Sequence, residues 1–249
     1  MTTLSRDPVR AAAQSTSLFE RTLSRLLLRT TRVAAVRPVS KNFRLIDLQG
    51  EALQGVEWAA GQKLQIKVGS PLMARTFTPI LFDAECGLTR ILGYAHGAGP
   101  GSDWLRRIAP GDECQVFGPR GSLDVGSAAG PTVLFGDETS FGLAAAMSGH
   151  GMPRGDFRCC FEVTEIEEAT LAAQALEIIP TALVKRHNEA KVAATIEQLL
   201  STSSDATQYV LTGRAQFIQV VKKMLKQRGV SSSRVKAKAY WSPGKTGLD

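Results

Sequence analysis

Five short segments carry residue types that could do chemistry, and none sets an acid, a base or a nucleophile in a familiar constellation. Arg75-Thr76-Phe77-Thr78 lies in a β-prone run, where alternation points Arg75 and Phe77 to one face and Thr76 and Thr78 to the other. A fixed guanidinium suits a phosphate, an aromatic ring suits a planar ligand, and a hydroxyl suits a heteroatom edge. Taken alone, the same four residues also read as an edge strand with an exposed Arg and a core Phe. Next, Gly97, Gly99, Pro100, Gly101 and Ser102 lead into Asp103, Trp104 and Leu105, in a stretch that begins at His96. Glycines let backbone approach a ligand closely, and a helix opening at Ser102 would turn unpaired N–H groups toward an anion. A plain loop with Ser102 as N-cap is the alternative.

Gly118-Pro119-Arg120-Gly121 follows a strand-like run, and Gly136-Asp137-Glu138-Thr139 follows the apolar run Val133 to Phe135. The latter stands where the first βα turn of a nucleotide-binding domain belongs, but it lacks the GxGxxG spacing. The ending from Tyr240 to Lys245 places Tyr240 and Trp241 at a strand terminus, where they either face a cleft or cap the sheet. His96, His150 and His187 have no metal-ligand spacing, so no metal is expected. No GxSxG elbow occurs, and Cys159 and Cys160 sit in an apolar strand where inert thiols are the better reading. That absence points to chemistry carried by a cofactor.

Two kinds of element must position these segments. From Thr31 to Phe117, six β-prone runs separated by turn residues predict an antiparallel barrel or sandwich: 31–39, 43–48, 63–68, 75–81, 88–95 and 113–117. A helix over 102–108 interrupts them. Beyond Pro131, apolar runs at 132–135, 157–163, 182–184, 208–211 and 235–240 alternate with helical patterns at 139–148, 167–176, 190–200 and 215–227. This alternation predicts βαβ units and a parallel sheet, with the site in the crevice between the two halves. The expected divisions are an N-terminal helical extension over 1–29, a barrel over 30–126 and an α/β domain over 127–249. The extension rests on Leu18, Phe19, Leu23, Leu26 and Leu27 as one helix face.

A chain of 249 residues, 43% hydrophobic, suffices for one large or two ordinary domains and excludes disordered or fibrous architectures. The longest uncharged run, Thr139 to Pro153, falls short of the roughly 20 apolar residues of a membrane span. No secretory start is visible, and the four cysteines lack CxxC spacing, which fits a reducing compartment. A soluble, cytoplasmic monomer is expected. The net charge of +7 favours anionic partners, and Lys222 to Lys245 carries no acid. Thin aromatic interleaving there argues against nucleic acid.

In this order, the segments resemble the siderophore-interacting protein family of flavin-dependent ferric reductases, a branch of the ferredoxin-reductase-like superfamily. The likeness spans about residues 30 to 245 and rests on Arg75–Thr78 with Asp83 after it, His96–Trp104, Pro110–Ser122, Leu134–Ser140 and Lys238–Lys245. It implies a six-stranded antiparallel FAD-binding barrel followed by a parallel α/β nucleotide-binding domain that receives NADH or NADPH. By position, Arg75 would bind the FAD phosphates with Thr76 beside it, Phe77 would lie against the isoalloxazine, and Thr78 would act catalytically at its reactive nitrogen. His96, Gly97, Gly99, Gly101, Ser102 and Trp104 would hold the diphosphate end. Gly136, Asp137, Glu138, Thr139 and Trp241 would line the nicotinamide cleft, and Lys236, Lys238 and Lys245 would meet an anionic ferric chelate.

The sequence departs from the family where a second Arg is usual, at Ile80, which leaves Arg120 or Arg106 to help with FAD. It departs again at Arg214, where an acid is usual, and in the thinned basic ending. The expected activity is NAD(P)H-dependent, FAD-mediated reduction of ferric siderophores or other ferric chelates. Delivery of electrons to a flavin, quinone or protein acceptor, or a non-catalytic flavin-binding adaptor, are the alternatives.

Overall fold

The computed structural model describes residues 28–69, 73–126, 130–149 and 157–244. The expected N-terminal helix lies outside the described residues. Alternating runs form β1 (Leu28–Pro38), β2 (Phe43–Gln49), β3 (Lys63–Lys67), β4 (Ala74–Phe77), β5 (Pro79–Asp83), β6 (Leu88–Tyr94) and β7 (Glu113–Arg120). β6 shows the period directly, with every second residue buried. Helix α1 (Pro100–Arg107) enters before β7 and sets Leu105 on the barrel core beside Ile91, Ala95 and Val116.

The expected single strand over 75–81 is two strands. The sheet order is β4-β3-β7-β1-β2-β6-β5, so β4 and β5 are its two edges. Yet β4 ends at Phe77 and β5 begins at Pro79. One residue, Thr78, joins opposite edges, so the sheet must curl until they meet there. The antiparallel layer is therefore barrel-like with seven strands instead of six, the extra one arising from the break at Thr78.

The second layer is a parallel sheet of β8 (Thr132–Asp137), β9 (Phe157–Val163), β10 (Ala182–Lys185), β11 (Gln208–Arg214) and β12 (Val235–Trp241), in the order β10-β9-β8-β11-β12. Every residue of β8 is buried, as a central parallel strand covered on both faces requires. Helices α2 (Phe141–Gly149) and α3 (Ile166–Ala175) cover one face through Leu143, Ala144, Ala169 and Ala172. On the other face, α4 (Glu189–Ser201) and α5 (Ala215–Gln227) pack through Ile196, Leu199, Phe217 and Val221. Strand order reverses between β8 and β11, and the crevice at that switch is where open α/β sheets bind ligands.

The two layers share a core. Phe43 of β2 belongs to the same buried cluster as Leu134, Phe141 and Phe161. Among the described residues no helix is long and apolar enough to cross a membrane.

Candidate functional site

Thr78 sits where the barrel faces the carboxyl edge of the parallel sheet. Helix α2 reaches it because Gly142 has no side chain; a Cβ there would lie 3.2 Å from the Thr78 carbonyl oxygen. Tyr240, near the end of β12, stands beside the hydroxyls of Thr78 and Thr212, and burial pushes its phenol up to about 12. It therefore stays a neutral hydroxyl at the seam.

Upstream of Thr78, Arg75 and Phe77 share one face of β4 and are half-buried, while Thr76 is exposed. Phe77 leans on the barrel core with its ring 5.7 Å from that of Trp104. Arg75 crosses the start of α1, where a Cβ on Gly101 would lie 3.1 Å from its Cγ and Nε. Its Nη1 donates to the Ala74 carbonyl at 2.8 Å.

The loop from His96 to Gly101 is shaped by two side chains that take its carbonyls. Ser102 Oγ donates to the His96 carbonyl at 2.7 Å, and Arg106 Nη2 to the Gly97 carbonyl at 2.8 Å. Gly97 adopts φ 64°, the left-handed region glycine favours, and nothing lies within 4 Å of a Cβ built on Gly97 or Gly99. No side chain caps the N-terminus of α1. Open space, unclaimed N–H groups at a helix start and the Arg75 guanidinium form a cradle that fits a diphosphate. Arg120, by contrast, donates to Gln65 and stacks on Phe117, and Ile80 packs into the shared core.

The turn after β8 is built differently. Gly136, Asp137 and Glu138 are buried, and Thr139 is half-buried. Asp137 is 0% exposed and accepts bonds from the Thr139 N–H at 2.9 Å, the Thr139 hydroxyl at 2.5 Å and Trp241 Nε1 at 2.7 Å. It also accepts from the Ser140 N–H, closing a capping box. Burial, then the neighbouring Glu138 charge, raises the Asp137 carboxyl to about 6.

Glu138 and Glu162 join a charge network that the sequence did not announce. Arg186 Nη2 donates to Glu138, and its Nη1 donates to Thr164 Oγ1 at 3.0 Å. The Thr164 N–H and the Tyr94 hydroxyl also donate to Glu138, at 2.6 and 3.3 Å. Arg214 grips Glu162 with two bonds of 2.5 and 2.8 Å. The Arg214 departure is thus neutralised locally by an acid 52 positions away. These four ionic groups come from the carboxyl ends of four elements, so only topology brings them together.

Aromatic rings cross the same seam. Phe161 stacks on Phe141 at 4.3 Å, Phe141 meets Phe43 at 5.9 Å, and Phe43 meets Tyr94 at 4.6 Å. The string continues through His96 at 5.4 Å to Trp241 at 5.7 Å. Trp241 lies under the Arg186 guanidinium as well. The terminal aromatics thus pack into the seam, Trp241 against His96 and Arg186 and Tyr240 beside Thr78. Burial lowers the His96 pKa, with Glu138 opposing the shift.

Val235, Ala237 and Ala239 pack toward α5, which leaves Lys236, Lys238 and Tyr240 on the barrel-facing side of β12. Lys236 Nζ donates to the Asp124 carbonyl at 2.6 Å, so its ammonium is engaged within the chain. Lys245 lies outside the described residues.

Comparison with known proteins places this geometry. Residues 129–244 match the family model described as siderophore-interacting protein. No curated protein sequence matches the chain. Among solved structures, a siderophore utilization protein from T. fusca superposes with TM-score 0.71 at 24% identity, covering 89% of this chain and 95% of that one. The siderophore-interacting protein SipS from Aeromonas hydrophila gives TM-score 0.73 at 22% identity, with 88% and 93% covered. Phthalate dioxygenase reductase, described as a modular structure for electron transfer from pyridine nucleotides to [2Fe-2S], gives 0.70 at 15%, covering 88% and 70%. The chain thus shares the fold of these proteins, and its residues 129–244 are similar to the siderophore-interacting protein family.

Proposed function

We propose that the chain is an FAD-dependent NAD(P)H oxidoreductase that reduces ferric iron held in a siderophore or other ferric chelate. The observation that carries this reading is the open cationic cradle of Arg75 and the 97–102 loop, set beside Thr78 where the barrel meets the carboxyl edge of the parallel sheet. FAD, when bound, supplies two-electron acceptance from a dihydronicotinamide and one-electron delivery to iron. Arg75 and the start of α1 hold its diphosphate; Phe77, backed by Trp104, lies against its ring system, and Thr78 offers it a hydroxyl. The chain's remaining task is to orient the reactants and keep water out of the seam. Lys238 meets an anionic chelate from the cleft wall, and Lys245, outside the described residues, is a further candidate. Four free thiols suit a reducing, cytoplasmic setting.

The test is an absorption spectrum of the purified protein, loaded with FAD and treated anaerobically with NADH or NADPH, then with a ferric chelate. Flavin bands that bleach with the donor and return with the chelate are expected. Arg75→Ala should weaken FAD binding by about 1.5–3 kcal/mol, the loss of a charged hydrogen bond. A protein that cannot be loaded with FAD overturns the reading, and bleaching without reoxidation by ferric chelates assigns the electrons to another acceptor.

A further inference from the structure

The two glycine-containing turns of the cleft treat an anion in opposite ways. In the barrel loop, the space beside Gly97 and Gly99 is open. In the turn after β8, the chain fills it: a Cβ on Gly136 would lie 2.4 Å from Ser140 Cβ, and one on Gly213, at φ 91°, would lie 2.5 Å from Asp137 Oδ1. Glycines at a nucleotide turn ordinarily let a diphosphate approach the backbone. Here the occupants are side chains of the protein itself.

The donors are spent as well. The N–H groups of Thr139 and Ser140, which a dinucleotide diphosphate would need at this helix start, both point at the Asp137 carboxylate. A diphosphate would have to displace that carboxylate, and Trp241 Nε1 holds its other oxygen. Among the described residues no cation forms an ion pair with Asp137, so a diphosphate would also meet like charge. The nearby guanidiniums of Arg186 and Arg214 are engaged by Glu138 and Glu162.

We propose that Asp137 occupies the anion position of this turn, so that the electron donor is recognised through its dihydronicotinamide half while its diphosphate goes unbound there. The inference rests on the reading of the chain as a dihydronicotinamide-dependent flavoprotein, and it makes Asp137 a specificity-determining residue for the donor.

The test compares reduced nicotinamide mononucleotide, which lacks the diphosphate and adenosine, with NADH as donors to the FAD-loaded protein in anaerobic stopped flow. It is paired with calorimetric titration of ADP-ribose. Bleaching rates within about threefold of each other, and no measurable ADP-ribose binding, are expected; a single charged hydrogen bond to the diphosphate would separate the donors by about tenfold or more. Asp137→Ala frees the two N–H groups and the space beside Gly213, and should raise ADP-ribose affinity at least about tenfold by the same measure. Should that variant not fold, the wild-type arms decide alone. A tenfold advantage of NADH, or ADP-ribose binding to the wild type, overturns the proposal. If neither donor bleaches the flavin, the reductase reading fails, and ADP-ribose binding by itself judges the turn.

Discussion

Asp137 is fully buried and bonded to four donors, yet among the described residues no cation forms an ion pair with it. Its carboxyl titrates near 6 in the folded protein against an ordinary 3.8, chiefly through burial. Between those two values the folded state keeps a proton that the unfolded chain has released. Stability from this residue therefore rises as pH falls from about 7 to 4, by at most on the order of 3 kcal/mol. Urea denaturation of the wild type and Asp137→Asn across that range should show the wild type gaining on the variant toward low pH. A difference that stays constant with pH would remove the buried charge from the account. Nothing in Gly136–Thr139 disclosed this behaviour in the sequence. Legible there was the βα turn itself; what hid the self-filled anion site was that Trp241 and Gly213 come to it from strands far along the chain. Arg75 was legible for the opposite reason, since its partner loop follows within the same antiparallel layer.

At the scale of elements, helix α2 and the Thr78 junction form one contact made possible by Gly142. Gly142→Val places a branched side chain against the Thr78 carbonyl, so either α2 or the junction must shift. Overpacking of this kind costs about 1–3 kcal/mol. Both a lower urea midpoint and weaker FAD binding are expected, because the proposed function sets Thr78 beside the flavin. A lower midpoint with unchanged FAD affinity would separate α2 from the cofactor site. Alternation and helical period revealed the order of strands and helices, because each element buries a face that its own residues specify. They did not reveal the break at Thr78. Residues 75–81 read as one β-prone run; Pro79, which has no N–H for a ladder, is the one local sign of the split, and closure of the sheet, a long-range constraint, imposes it. Helix starts shifted by a residue or two for the simpler reason that cap residues belong to neither element.

Across the whole molecule, the two layers are joined by more than a linker. Phe43 is 1% exposed and touches rings from both layers, Tyr94 at 4.6 Å and Phe141 at 5.9 Å. Ser40 and Asn42, in the β1–β2 turn, donate to Glu168 of α3, and Lys236 of β12 donates to the Asp124 carbonyl. Such polar contacts at partly exposed positions each contribute little, so the shared apolar cluster must dominate the coupling. Neither layer can then melt without exposing the core of the other. Barrel and parallel sheet should unfold in one transition, with far-ultraviolet ellipticity and flavin release coinciding, even though two-domain chains commonly unfold in steps. FAD at a hundredfold excess over its dissociation constant should raise the stability of that single transition by about 2.7 kcal/mol. Phe43→Ala should cost about 3–5 kcal/mol, the range for a large aromatic removed from a core. Because the cavity opens at the seam, the variant should also split the transition, the barrel melting with its flavin apart from the parallel sheet. Two resolved transitions already present in the wild type would show instead that the layers are neighbours without being coupled.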